Sequence, residues 1–565
     1  MFPFRKPELL TGFFLLLVIA AKAQQPYTPI TTFSNYYIDR LDISGNTDQF
    51  ITSIKPVLRT DIYTFKNKGN TKLVNLSYRY IKADNFGYPR FDSVPENISN
   101  TGKNANWKNF KQRIFAEPVA LFSVNTKDLN LIINPAFSFY GGYDQSNSDK
   151  TYQYTRGAEI RGSIDNKVGF YSIITANQIA VPNFYGQMID STHVIPGEGY
   201  HVNKPNYTYT YYQPRGYITF SPTKHIAMQV GHDRNFIGNG YRSLILSDFS
   251  KEYFFLKFNT KVWRFNYQNL YGQISDYTKQ SATGKGIKPK YFVNHYLGLN
   301  LFKNLQLGVF ESVVYDRGDS SKRGAIDFNY MNPIIFYTAI ENNLNSSDNV
   351  MIGMDWKWNF LRRFSFYGQI VLDELAKKEL INRTGWWGNK YAVQLGGKYI
   401  GAFGISGLDL QGEYNVVRPY TYSHFKLSQT YVNYDEPMAH PFGANFKEMI
   451  GLLRYQPAYR WFVNAGYIHV MKGLDSSSKG RHFGGDILTT YNKRPKEYGL
   501  EIGQGVKTTY DILYFNVSYM AYHNLWFDFR FNIRKVSSGL SWLNSNVNWV
   551  QFGLRMNMDR RPYDF

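Results

Sequence analysis

Two stretches of this chain set flat rings beside cations at short spacing. One is Arg418-Pro419-Tyr420-Thr421-Tyr422-Ser423-His424, continuing to His440-Pro441-Phe442-Gly443-Ala444-Asn445 and Glu448. The other is Trp386-Trp387-Gly388-Asn389-Lys390. Aromatic faces stack on the apolar faces of sugar rings, and guanidinium forks bind hydroxyls or carboxylates. Arg418, Tyr420, His424, Trp386 and Trp387 are therefore candidate glycan-binding residues. The same composition suits the aromatic girdle of a membrane barrel, and for the tryptophan pair that reading stands first. A third constellation runs Gly231-His232-Asp233-Arg234-Asn235-Phe236-Ile237-Gly238-Asn239-Gly240-Tyr241-Arg242, ending Leu244-Ile245-Leu246-Ser247-Asp248. Asp233, Arg234 and Arg242 are its candidate ligand contacts. The stronger reading is a brace, with Asp233 pairing to Arg234 or Arg242 under a loop folded inward. Gly238 and Gly240 permit a tight fold with positive φ. Leu244 and Leu246 need an apolar partner, which the mouth of a barrel would supply.

Catalytic signatures are missing. There is no G-x-S-x-G, H-E-x-x-H, P-loop or H-x-H pair, and the ten histidines are scattered. His424 and His440 stand sixteen apart without a carboxylate pattern. No cofactor or metal set is expected. A Ser-His-Asp set drawn from distant strands would leave no local motif, but nothing here proposes one, and the chain is read as a binding protein, not an enzyme.

The elements that must carry these loops show in Trp526-Phe527-Asp528-Phe529-Arg530-Phe531-Asn532-Ile533-Arg534. Phe527, Phe529, Phe531 and Ile533 alternate with Asp528, Arg530, Asn532 and Arg534. A strand sends successive side chains to opposite faces, so one face is oily and the other charged. The same alternation recurs from Leu129 onward, as in Met354-Asp355-Trp356-Lys357-Trp358 and in Val550 to Met558. Eight short connections carry turn chemistry: Asp165-Asn166-Lys167, Pro222-Thr223-Lys224, Asn259-Thr260-Lys261, Lys303-Asn304, Leu361-Arg362-Arg363, Gly401-Ala402-Phe403-Gly404, Gln456-Pro457-Ala458 and His523-Asn524. Long ones run roughly 180–212, 234–251, 274–289, 316–349, 374–389, 419–445 and 471–507. Short inner turns and long outer loops are the habit of outer-membrane barrels. The count predicts an all-β, antiparallel outer-membrane β-barrel of about 18 strands (16–20). Phe527, Phe529 and Phe531 then face lipid, while Arg530 and Arg534 line an aqueous lumen.

The bulk properties agree. The 565 residues hold no cysteine, aromatics make up 18%, and the formal charge is +21. Mean hydropathy is −0.40, which excludes a helical membrane bundle. Leu9 to Ala21 is apolar, follows Arg5 and Lys6, and ends at Ala21-Lys22-Ala23. That pattern predicts a cleaved signal peptide over 1–23, leaving a charge of about +19. Residues 24–128 predict a small mixed or helical periplasmic part or plug. Within it, Phe50/Ile51, Ile54 and Val57/Leu58 have helical spacing behind a Thr47 or Asp48 cap, and 83–112 reads as loop. Residues 129–565 form the barrel. For an exported β protein the positive charge suits anionic surface polysaccharide or lipopolysaccharide, with outer-membrane lipid around the wall, and not nucleic acid.

The runs GHDRNFIGNGYRSLILSD (231–248), YGQIVLDE (367–374), WWGNKY (386–391), RPYTYSH (418–424) and HPFGANF (440–446) resemble the capsule assembly Wzi-like family. The likeness spans about residues 30 to 560 and is to its Bacteroidetes branch, nearest the RemB-like gliding motility members. It implies an eighteen-stranded outer-membrane barrel with a small helical N-terminal part. It also implies a surface lectin that holds capsular polysaccharide. For the RemB-like branch it implies instead a role in motility or adhesion, with motility or secretion proteins as partners. No individual binding residue follows from it.

Overall fold

A computed structural model describes residues 26–30, 33–47, 50–62, 65, 71–85, 119–126, 128–146, 149–199, 202–204, 207–276, 288–318, 326–336, 348–476, 481–558, 560–561 and 563–565. The expected signal peptide and most of the expected loop 83–112 lie outside them. Eighteen antiparallel strands close on themselves. In chain order they are β1 (Leu129–Asp144), β2 (Asp149–Ile164), β3 (Val168–Ala180), β4 (Thr208–Phe220), β5 (Ile226–Asp233), β6 (Tyr253–Val262), β7 (Phe265–Asp276), β8 (Lys288–Phe302) and β9 (Leu305–Tyr315). They continue as β10 (Asn349–Phe360), β11 (Phe364–Glu374), β12 (Lys390–Ile400), β13 (Leu408–Val417), β14 (Phe446–Ala458), β15 (Trp461–Leu474), β16 (Val506–Tyr522), β17 (Leu525–Ser538) and β18 (Ser545–Met556). The seam pairs β18 with β1, Val550 opposite Tyr143.

Six of the eight turns fall where the residues predict. Asn259-Thr260-Lys261 and Gln456-Pro457-Ala458 do not: both continue the ladder, Val262 pairing Phe265 and Ala458 pairing Trp461. Cross-strand pairing outlasts local turn chemistry at both sites.

The side chains are sorted as the alternation requires. Phe527 and Phe529 are 42% and 41% exposed, while Asp528 and Arg530 between them are 0% and 2%. Large apolar residues of other strands, such as Ile174, Ile218, Phe254 and Phe552, are likewise exposed, and polar residues are buried inside. An exterior of this kind has lipid as its solvent, so the fold is that of an outer-membrane β-barrel and the protein resides in that membrane.

The interior corrects one expectation. It is filled, not a wet lumen. At the short-turn end, helix α1 (Phe33–Ile43) buries Tyr37, Ile38 and Leu41. Helix α2 (Lys72–Asp84), capped by Thr71, buries Leu73, Val74, Tyr80 and Ile81. Arg40 Nε gives 2.7 Å to Asp409 of β13, Lys357 of β10 pairs with Asp39 and Asp42 at 2.9 and 2.8 Å, and Tyr80 donates to Asn524. Ala83 and Asp84, expected in a loop, close α2.

The helix expected over 50–58 is extended instead. Ile54–Lys55 pairs with Phe236–Ile237, and Val57–Leu58 pairs with Tyr27–Thr28. Pro56 biases Lys55 away from the helical region, and β-branched Ile51, Ile54 and Val57 suit strands.

From the long-loop end, residues 234–252 descend to meet that extended segment. Leu244, Ile245 and Leu246 are fully buried against Phe255, Phe292, Phe310 and Val371 of the wall. The apolar partner they need is thus the barrel interior. Gly238 has φ +150 and its amide donates to Ser53 O. Gly240 is not a positive-φ position. Its use is close approach, since a Cβ there would lie 2.6 Å from the Glu413 carboxylate.

Candidate functional site

Trp386, Trp387, Arg418, Tyr420 and His424 come together on the long-loop end. Arg418 ends the β13 ladder, its amide donating to Tyr391 O and its Nη2 to Trp386 O at 3.3 Å. Tyr420 and Tyr422 then both take left-handed φ, +65° and +72°, in which a bulky residue is an outlier. The surroundings hold them there. Tyr420 Oη donates to His482 O, and Tyr422 Oη donates 2.7 Å to Leu244 O of the descending loop. Tyr420 is fully buried and His424 is 7% exposed. Both pack beneath the face.

The face itself completes with two residues the sequence reading did not place. Tyr491 lies 4.8 Å from the Trp387 ring, and the Arg494 guanidinium sits 4.1 Å over Trp387. Trp386 and Trp387 are 5.8 Å apart, and Phe425, exposed, adjoins Tyr491 at 6.3 Å. Backbone bonds stitch the two loops: Trp387 N to Glu497 O, Gly499 N to Thr384 O and Leu500 N to Gly385 O. Arg494 is held by Glu497 at 2.6 Å. Lys426, Lys493 and Lys496 are exposed beside this shelf. The tryptophans pack on other loops' side chains, which favours a display face over a girdle. No local signal could link Tyr491 to Trp387 across about a hundred residues of chain; only the barrel closes that gap.

Asp233, Arg234 and Arg242 lie elsewhere, in the brace under the descending loop. The pairing expected among themselves is replaced. Asp233 stands 3.9 Å from Arg215, Arg234 pairs with Glu252 and Glu198 at 3.5 and 3.9 Å, and Arg242 with Asp564 and Glu448 at 3.4 and 3.5 Å. Tyr241 N and Arg242 N both donate to Glu413. His440 Nε2 lies 2.6 Å from Glu448. Asp233, Arg234 and Arg242 are each met by an opposite charge, which is the chemistry of a latch.

The shelf is expected to loosen when His424 takes up a proton. Burial, with Lys390 nearby, pushes its imidazole pKa down to about 4. Its Nδ1 also accepts the Lys426 amide at 3.3 Å, which needs the neutral ring. The folded value lies below the unfolded one, so this stability is present above about pH 6.5 and is lost as pH falls towards 4. Protection factors of the amides across 424–430 and 491–494, corrected for intrinsic exchange, should fall at pH 4.5 relative to pH 7, and His424→Gln should flatten the difference. Equal pH dependence in the variant would remove His424 as the cause.

No family model matches the chain, and no curated protein matches it in sequence. Among solved structures it is similar to Wzi of Escherichia coli, described as an outer membrane protein involved in group 1 capsule assembly and as a carbohydrate-binding β-barrel. That match has TM-score 0.56 at 11% identity and covers 95% of this chain and 100% of the other. OprD of Pseudomonas aeruginosa (TM-score 0.40, 10% identity, 76% and 94% covered) and OccAB2 of Acinetobacter baumannii (0.41, 8%, 75% and 97%) follow, too distant to carry an argument. The chain thus shares with Wzi the fold of an outer-membrane β-barrel.

Proposed function

We propose that the protein binds an acidic surface polysaccharide at its outer face and holds it at the cell surface. The observation that carries this reading is the shelf of Trp386, Trp387 and Tyr491 with Arg494 over the Trp387 ring. Stacked rings accept a sugar face, and the surrounding cations accept carboxylates. The carbohydrate binding stated for Wzi, with which the fold is shared, supports it.

The test is a titration of purified barrel with the organism's own surface polysaccharide. Trp387→Ala should weaken binding by about 2 kcal/mol, roughly thirtyfold, as for a central aromatic anchor. Trp263→Ala, exposed at a turn on the opposite end, should change nothing. Affinity should fall with salt, since exposed charges are screened beyond about 10 Å at 0.1 M. Equal affinity of the two tryptophan variants would overturn the assignment of the shelf.

A further inference from the structure

At the short-turn end, which faces the periplasm, a chamber of about 490 Å³ opens between the extended segment 50–61 and strands β5, β6 and β7. That volume lies in the range of small-ligand sites, roughly 300–1,000 Å³. Its apolar lining comes from Phe50, Ile51, Ile54 and Val57 of the segment and from Ile226 and Ala227 of β5. Branched aliphatic side chains outnumber rings here, the reverse of the outer shelf. The strand ladder puts Ala227 opposite Asn259 and Lys261 opposite Asn266, so two side-chain amides stand beside this apolar surface.

Both amides line the chamber, and they are only 6% and 7% exposed. Asn259 spends its Nδ2 on Tyr27 Oη at 3.2 Å, and its Oδ1 has no hydrogen-bond partner. Asn266 Oδ1 has none either. At the mouth Lys261 pairs with Asp61, both partly exposed. A buried carbonyl oxygen is normally met by a donor. These two face a space wide enough to admit one from outside the chain.

The ligand that fits must carry hydrogen-bond donors within an apolar body. An acyl chain brings no donors. A glycan brings hydroxyls but little surface for aliphatic side chains. An uncharged stretch of extended polypeptide brings both, because its N–H groups recur between side chains that alternate in direction. We propose that this chamber binds a short apolar peptide segment of a periplasmic protein, whose backbone N–H groups donate to Asn259 Oδ1 and Asn266 Oδ1. The site is distinct from the outer shelf and independent of the glycan reading.

Equilibrium dialysis of the full-length barrel, held in an amphipathic polymer, against tritiated N-acetyl-Leu-Val-Leu-amide tests it, with polymer alone as the blank. Saturable binding of one equivalent is expected. Asn259→Leu and Asn266→Leu should each weaken it about tenfold, the worth of one hydrogen bond. A site that recognised apolar surface alone would bind at least as well after either change, because leucine adds such surface. Assembly of each variant is checked by the mobility shift between heated and unheated samples. The same peptide with methylated backbone nitrogens should bind the natural chain about tenfold more weakly, and should bind the double variant as the parent peptide does. Absence of saturable binding, or undiminished binding by the double variant, would overturn the proposal. Displacement of the peptide by decanamide as effective as by unlabelled peptide would identify an acyl-chain pocket, and would overturn it too.

Discussion

Asp528→Ala should destabilise the barrel by about 3–5 kcal/mol, the cost of leaving buried charge without its partner. Asp528 is fully buried, and Arg555, Ser518 and Tyr140 all donate to it, while Arg530 stands at 3.8 Å. Tyr140 reaches it from the far side of Gly553, where a Cβ would lie 2.4 Å from the tyrosine ring. Removing the carboxylate takes one ion-pair partner from Arg555 and from Arg530 at once. Arg530→Ala, two residues along the same face, should cost only about 1 kcal/mol, because Arg555 still neutralises Asp528. Between them Phe529→Arg should cost about 2–4 kcal/mol by placing a cation in lipid. Urea titration of barrel refolded into micelles, followed by heat-modifiable mobility, gives the order directly. If Arg530→Ala were the worst of the three, the charge would be held by Arg530 and not by Asp528. If Phe529→Arg were silent, the outward face would be misassigned.

That stretch also shows what the sequence makes legible and what it does not. Phe527, Asp528, Phe529 and Arg530 alternate because one face meets lipid, so period two yields the strand and its two faces, and the alternation of short and long connections yields the count and which face is outside. It says nothing about what fills the inside, because a polar lumen-facing residue looks the same beside water as beside a partner. The filled interior therefore had to come from contacts such as Arg40 with Asp409 or Ile237 with Ile54. Helix α1 was hidden for a related reason. Its polar positions Asp39, Arg40 and Asp42 are held in ion pairs with the wall, so it lacks the clean apolar stripe of a helix facing water. At the shelf, residue types were readable at 386–387 and 418–424, yet roles were not. Tyr420 carries the ring expected of a sugar contact but spends it on packing, and Arg494 was one cation among several in a long loop.

The intact protein should pass no steady current in a planar bilayer. Barrels of 16–18 strands otherwise enclose an aqueous channel, but two separate bodies block this one. From the short-turn end, α1 and α2 are pinned to the wall by Arg40–Asp409 and Lys357–Asp39. From the other, Leu244, Ile245 and Leu246 fill the middle of the lumen, and Tyr422 and Tyr431 donate to the carbonyls of Leu244 and Ile245. The two meet where Ile54–Lys55 pairs with Phe236–Ile237. Replacing residues 236–250 by a short Gly-Ser linker should leave the barrel nearly closed, because α1 and α2 remain. Deleting residues 26–85 alone should also leave it nearly closed, because the descending loop remains. Only the combined variant should show stable open-channel conductance, so the two deletions should be strongly non-additive. A full current from either single deletion would show that one body closes the lumen alone. A steady ohmic current through the intact protein would show that the packed interior opens in a membrane.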